Sequence, residues 1–229
     1  MIINCIIMKK IIFCIPGNIF SNRFLRCWTD IVFWCIQNNY HPILSNDTDS
    51  NVYFVRSKIL GGSTLRGINQ KPFNGEIDYD YIMFIDSDVI FKPDDLKNLL
   101  EMNVDICSGA YLMNGGTHYP IVEHFDNSYF LDNGTFKFIS CEELRKYKNP
   151  FDVEYCGMGF MLIKKNIIEQ LSYPWFYANM FNFSDNIKEF TSEDVSFCMS
   201  LKKKNFKILI NPNVRVGHEK SIVYLDSSN

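Results

Sequence analysis

The sequence predicts an α/β fold: a mixed, mainly parallel central sheet flanked by helices, with a small antiparallel β insert. Three observations predict it. Short apolar runs alternate with helix-period segments over the first 110 residues, the pattern of strand–helix–strand units. The run Tyr79–Ile85 is nearly all apolar, as a strand buried on both faces requires. After Tyr111 the alternation gives way to aromatic runs broken by Asp126-Asn127 and Asp132-Asn133-Gly134, which read as antiparallel hairpins between Ile121 and Ser140.

The elements follow in order. Lys10–Ile15 is a β-branched strand closed by the turn Pro16-Gly17-Asn18. Ser21 or Asn22 caps a helix running to about Asn38, with Leu25, Trp28, Val32, Cys35 and Ile36 as its apolar face. Tyr40–Leu44 is a second strand, Ser45–Ser50 a polar loop, and Val52–Leu60 a short helix ended by Gly61-Gly62. Pro93-Asp94-Asp95 starts a helix through Leu100, because proline suits the first turn and acids suit the helix dipole there. Val104–Tyr111 is another strand. Glu142–Lys148 reads as a short charged helix, and Val153–Ile163 is strand-like around Gly157 and Gly159. Ile167–Leu171 and Ser192–Lys203 are helical, with strands at Phe206–Ile210 and Asn213–Val216. One domain over residues 8–220 accounts for this. Residues 1–7 form an N-terminal extension, with Met8 a second candidate start, and 221–229 a tail.

Composition narrows the function classes. A chain of 229 residues with 23 Lys+Arg against 26 Asp+Glu lacks the basic excess that holds a nucleic-acid binder to its partner. The eight cysteines show no CxxC and no zinc spacing, and six lie in apolar stretches, which predicts buried, reduced thiols. No apolar run reaches the ~20 residues of a spanning helix. Lys9-Lys10 falls in the middle of the N-terminal apolar run rather than before it, unlike a signal peptide. The expected address is cytoplasmic, with peripheral membrane association left open.

Four motifs carry the chemistry. In Asp86-Ser87-Asp88 a buried strand ends in two carboxylates at i and i+2, on one side, at the end where open α/β sheets bind ligands. Two like charges that close call for a cation, and oxygen donors favour Mg²⁺ or Mn²⁺. In Thr191-Ser192-Glu193-Asp194, Thr191 and Asp194 fit a helix capping box, while a carboxylate held at a helix start can also serve as a general base. His218 follows a strand ending Val214-Arg215-Val216-Gly217 and is a third donor, one that suits Mn²⁺ better than Mg²⁺. Cys156-Gly157-Met158-Gly159-Phe160 has two glycines that admit close approach of a ligand, or mark a bulge.

The order of these motifs resembles the nucleotide-sugar-dependent glycosyltransferases of the GT-A (Rossmann-like) fold, in particular the family-two-like group, over about Lys10–Glu219. The resemblance implies that Asp86, Ser87 and Asp88 hold the donor diphosphate, Asp86 and Asp88 through a dication shared with His218. It implies that Gly157 and Gly159 flank donor and acceptor. Asp194 becomes the base, with Glu193 as its neighbour, and the transfer inverts the anomeric carbon. Pro16 and Gly17 match the loop near the nucleotide. Arg56 matches an Arg of an Arg-Asn pair near the nucleotide, although Ser57 follows it here. No Asp is evident directly at the end of the second strand; Asp47 and Asp49 are the candidates. The implied partners are a nucleotide-diphosphate sugar and a glycan, lipid or protein hydroxyl, reached in the cytoplasm of a cell or of a host carrying a virus- or phage-encoded enzyme. Residues 112–150 match no part of the family pattern. Two rivals stay open. A haloacid-dehalogenase-like phosphohydrolase would place its Asp-x-Asp near the chain start and follow it with Gly-Thr, not Val89-Ile90. A non-catalytic nucleotide- or glycan-binding module would use these acids only as caps and turns.

Overall fold

A computed structural model describes residues 8–221. The expected extension 1–7, with Cys5, and the tail beyond Ser221 lie outside the described residues. The first half runs β1 (Lys9–Pro16), α1 (Asn22–Gln37), β2 (Tyr40–Asp47), α2 (Val52–Ile59), β3 (Tyr81–Ile85), β4 (Val89–Ile90), α3 (Pro93–Met102) and β5 (Ile106–Ala110). Then come β6 (Ile121–Val122), α4 (Asn127–Asn133), α5 (Cys141–Leu144), β7 (Phe151–Val153), β8 (Tyr155–Cys156) and β9 (Phe160–Lys164). The chain continues with β10 (Met180–Asn182), β11 (Lys188–Phe190), α6 (Glu193–Lys203), β12 (Ile208–Arg215) and β13 (Gly217–His218).

Seven strands form the central sheet in the order β2-β1-β3-β9-β5-β12-β7. β1 is parallel to β2 and β3, and β12 is parallel to β5. β9 runs against β3 and β5, and β7 against β12. The sheet is therefore mixed and mainly parallel, as expected. Small antiparallel pairs, β6 with β8 and β10 with β11, lie outside it.

Strand alternation divides the core between two faces. Ile11, Phe13, Met83 and Ile85 pack with Phe24, Ile31, Leu96 and Leu99 of α1 and α3 on one side. Ile12, Cys14, Ile82 and Phe84 pack with Val55, Ile59, Val195 and Phe197 of α2 and α6 on the other. Each fully buried Ile or Phe contributes ~1.5–3 kcal/mol, so β3, buried along its whole length, anchors both halves. Six cysteines are buried and unbridged, and Cys141 is half-buried. Burial pushes the Cys107 thiol up to about 12, which leaves it unreactive. Among the described residues no helix is long and apolar enough to cross a membrane.

Several local expectations change. Ser21 caps α1, its Oγ accepting from Phe24 N at 3.1 Å, but the buried stripe is Phe24, Cys27, Ile31 and Cys35. Leu25 and Ile36 are exposed at 61% and 54%. The helix carries two apolar stripes, and periodicity alone did not say which one meets the sheet. The hairpin expected around Asp126 and Gly134 is instead α4: Asp126 Oδ1 accepts from Tyr129 N at 2.9 Å as N-cap, and Gly134 closes the helix at φ +67°. Asp and Asn-Gly serve helix ends as readily as hairpin turns. The Thr191–Asp194 capping box does not form. Ser192 is the N-cap residue, and Thr191 Oγ1 lies 2.5 Å from Ser196 Oγ in the interior. The strands expected at 206–210 and 213–216 are one, β12, and β2 extends three residues past Leu44 to Asp47.

Candidate active site

The site is assembled where β1, β3 and β12 end. Asp86-Ser87-Asp88 follows β3 directly, and β4 then pairs with β13, His218 opposite Val89. Glu219 N donates to Asp88 O at 2.7 Å, so the segment after β12 lies along the Asp-x-Asp turn. Residues 130 positions apart in sequence thereby meet. Asp88 Oδ2 accepts from His218 Nε2 at 3.2 Å and from Lys220 Nζ at 2.7 Å. The other imidazole nitrogen, Nδ1, donates to Leu112 O at 2.6 Å. The hydrogen bond to Asp88 raises the pKa of the ring above 6.5, and the bond to Leu112 O acts in the same direction. Burial works to raise Asp88, but the bonds from His218 and Lys220 win and hold it down to about 2. The Leu112 bond also fixes the ring so that Nε2 faces Asp88, the second-shell arrangement typical of ligating histidines.

Asp86 is held differently. Its Oδ1 accepts from Arg56 Nη2 at 2.9 Å, and Arg56 Nε donates to Glu193 Oε1 at 3.0 Å. Arg56 is only 3% exposed, and its Nη1 is buried without a hydrogen-bond partner among the described residues. The guanidinium thus links the Asp-x-Asp turn to the start of α6. Burial pushes the Glu193 carboxyl up, and the charge of Arg56 opposes that shift. Asp194, one residue on, is half-buried. Its Oδ2 accepts from Tyr155 Oη at 3.0 Å, and its Oδ1 accepts from Val195 N at 2.8 Å and from Ser192 Oγ.

The glycines accommodate neighbours more than open space. A Cβ on Gly157 would stand 2.1 Å from Tyr111 Oη, and one on Gly159 would stand 2.8 Å from the Tyr111 ring and 3.1 Å from Asp86 Oδ2. Gly159 N donates to Tyr111 Oη at 3.2 Å, and the Tyr111 ring meets His218 edge-on at 5.1 Å. The glycine loop therefore seats the tyrosine that packs on the histidine. Gly17, at φ +125°, brings the loop after β1 against Ser87, where a Cβ would lie 2.9 Å from Oγ. Asp47 does end the second strand, paired with Pro16 and accepting from Gly17 N at 2.9 Å, whereas Asp49 is ion-paired with Lys58.

Of the three predicted metal donors, the structure brings Asp88 and His218 together, while Asp86 accepts from Arg56 through Oδ1. Among the described residues no group of three His, Cys, Asp or Glu side chains could hold a metal ion. The pair nonetheless fits a dication of the Mn²⁺ or Mg²⁺ kind, which commonly takes one or two protein ligands and fills its shell with phosphate and water. Three residues at the site were missed by sequence reasoning: Tyr111, Tyr155 and Lys220. The tyrosines look like core residues, and only Lys220, two positions after His218, carried a local signal.

No protein-family model and no curated relative matches the sequence. Solved structures do match in fold. A197 from STIV superposes with a TM-score of 0.53 at 16% identity, over 97% of this chain and all of that one. GalNAc-T7, crystallised with UDP, GalNAc and Mn²⁺, superposes with a TM-score of 0.52 at 10% identity, over 94% of this chain and 44% of that one. At these identities the likeness is one of fold, and the fold class is the GT-A arrangement.

Proposed function

We propose that the protein is a metal-dependent glycosyltransferase that moves a sugar from a nucleotide-diphosphate donor to an acceptor hydroxyl, with inversion. The observation that carries this reading is the Asp88–His218 pair at the end of β3, with Asp194 fixed nearby through Tyr155 and Arg56–Glu193. The GT-A fold shared with GalNAc-T7, a protein crystallised with UDP, GalNAc and Mn²⁺, supports it.

Asp88 and His218 would hold the dication, which when bound supplies charge neutralisation to the leaving diphosphate. Asp86 and Ser87 would flank the donor, Asp86 oriented by the bond from Arg56 to its Oδ1. Pro16 and Gly17 would border the nucleotide, their loop held by Asp47 and packed on Ser87. Asp194 would take the proton from the incoming hydroxyl. Glu193, buried against Arg56, would position the start of α6 instead of sharing the proton transfer.

The test is turnover of a panel of nucleotide sugars with Mn²⁺, followed by release of the nucleoside diphosphate and by NMR of the sugar product. Asp194→Asn should retain donor binding and lose transfer. Transfer at near wild-type rate in that variant would remove the base assignment.

A further inference from the structure

A cavity of about 430 Å³ lies between the start of α4 and α5, in the stretch 112–150 that matches no part of the family pattern. That volume is within the range of small-ligand sites. Phe138 lines the cavity and also meets the Tyr155 ring edge-on at 6.4 Å, and Tyr155 Oη bonds Asp194. Two rings therefore connect the cavity to the proposed base. The carboxylates of the lining are oriented by protein donors. Tyr147 Oη donates to Glu123 Oε2 at 2.8 Å. Ser140 N and Oγ donate to Glu143 Oε2 at 2.8 and 2.7 Å, and these bonds hold that carboxyl below the usual range. Among the described residues no donor reaches the second oxygen of Glu123 or of Glu143. With Asp126, Lys137 and Lys146 the lining has three carboxylates and two ammonium groups, so neither charge dominates. Phe138, Ile139 and Tyr147 supply apolar surface beside them.

Resting on the function proposed above, we infer that this cavity is an acceptor subsite, and that it takes a neutral glycan at a unit remote from the hydroxyl that reacts at Asp194. Fixed carboxylates accept hydrogen bonds from hydroxyl donors, and apolar walls cover the C–H faces of a sugar ring. A phosphate or a phospholipid headgroup calls for an excess of cations, which this lining lacks. An acyl chain calls for walls without charges, which this lining also lacks. Phe138 and Tyr155 stand between the cavity and Asp194, so the unit bound here is not the unit modified. Its role is to position the chain that carries the reacting hydroxyl, since binding of a remote part of a substrate can be spent on orienting the part that reacts.

The experiment compares the full chain with Glu123→Gln, which removes one oriented carboxylate, and His124→Trp, which fills the cavity from an exposed position on its rim. A printed panel of neutral, carboxylated and phosphorylated glycans and of acidic and basic peptides is screened, and the hits are measured by saturation-transfer NMR. Calorimetry of uridine, guanosine and adenosine diphosphates with Mn²⁺ on the same three chains reads the donor side and shows that the variants are folded. Neutral glycans should bind the wild type. Glu123→Gln should weaken them by about tenfold, the loss of one charge-assisted hydrogen bond, and His124→Trp should abolish binding. Diphosphate binding should be unchanged in both variants. In transfer to a glycan so identified, His124→Trp should raise KM for that glycan and leave donor hydrolysis by water unaffected. Binding of no neutral glycan, a preference for charged glycans or peptides, or glycan binding untouched by both substitutions overturns the inference, while diphosphate binding with Mn²⁺ keeps the proposed function. Failure of the wild-type chain to bind any of the three diphosphates with Mn²⁺ overturns the proposed function itself.

Discussion

Replacing Arg56 by Met removes the one cation between two carboxylates and keeps the aliphatic stem. Glu193 is the partner that suffers, since its side chain is 8% exposed, against 28% for Asp86. Removing one member of a buried pair costs about 3–5 kcal/mol, because the remaining charge is left desolvated. For a domain of this size that lowers Tm by roughly 6–20 °C. Glu193 can escape by taking a proton. Its carboxyl is already raised by burial, and losing Arg56 removes the charge that opposes the shift. A carboxyl raised in the folded state binds more protons there than in the unfolded chain, so stability falls as pH rises above the unfolded value of about 4.3. The deficit of Arg56→Met should therefore be small at pH 4 and largest at neutral pH. Urea denaturation of Arg56→Met, Glu193→Gln and the double variant forms the assay, read as a cycle. The double variant, with both charges gone, should recover most of the loss. A cost below about 1 kcal/mol for Arg56→Met, or additive single effects, would refute a buried network joining the two motifs.

Gly159→Ala pushes a methyl into the Tyr111 ring at 2.8 Å, an overpacking that should cost about 1–3 kcal/mol in the same denaturation assay and displace Asp86. His218 should titrate above 6.5 by NMR, and Asp88→Asn should bring it back toward that value; the stability from the charged pair is full between about pH 4 and 6.5, is lost as pH rises through the raised His218 pKa, and is lost again as pH falls toward the Asp88 value of about 2. Tyr155→Phe should lower kcat for transfer with donor affinity unchanged, since its Oη meets Asp194 and not the Asp-x-Asp turn.

What was legible in the sequence had local causes. Asp86-Ser87-Asp88 stood out because a wholly buried strand ends there in polar residues, and the strand is where it was expected. The meeting of Asp88 and His218 followed from motif order and the resemblance, and β4–β13 pairing supplies its physical basis. Arg56 was flagged as a nucleotide contact, but its interior position, bonded to Asp86 and Glu193, depends on how α2 packs on the sheet, which no local pattern encodes. Tyr111 and Tyr155 were illegible for a similar reason: a buried tyrosine reads as core until the partner of its hydroxyl is known. The phase of α1 and the helix at Asn127–Asn133 were misjudged where one residue pattern satisfies two geometries.

In the proposed function Asp88, with His218, holds a donor diphosphate through a dication. Calorimetry of the nucleoside diphosphates against wild type and Asp88→Ala, with and without Mn²⁺, tests it most directly. Binding to wild type should require Mn²⁺ and disappear in Asp88→Ala. Equal affinity in the variant, or binding indifferent to the metal, would contradict it.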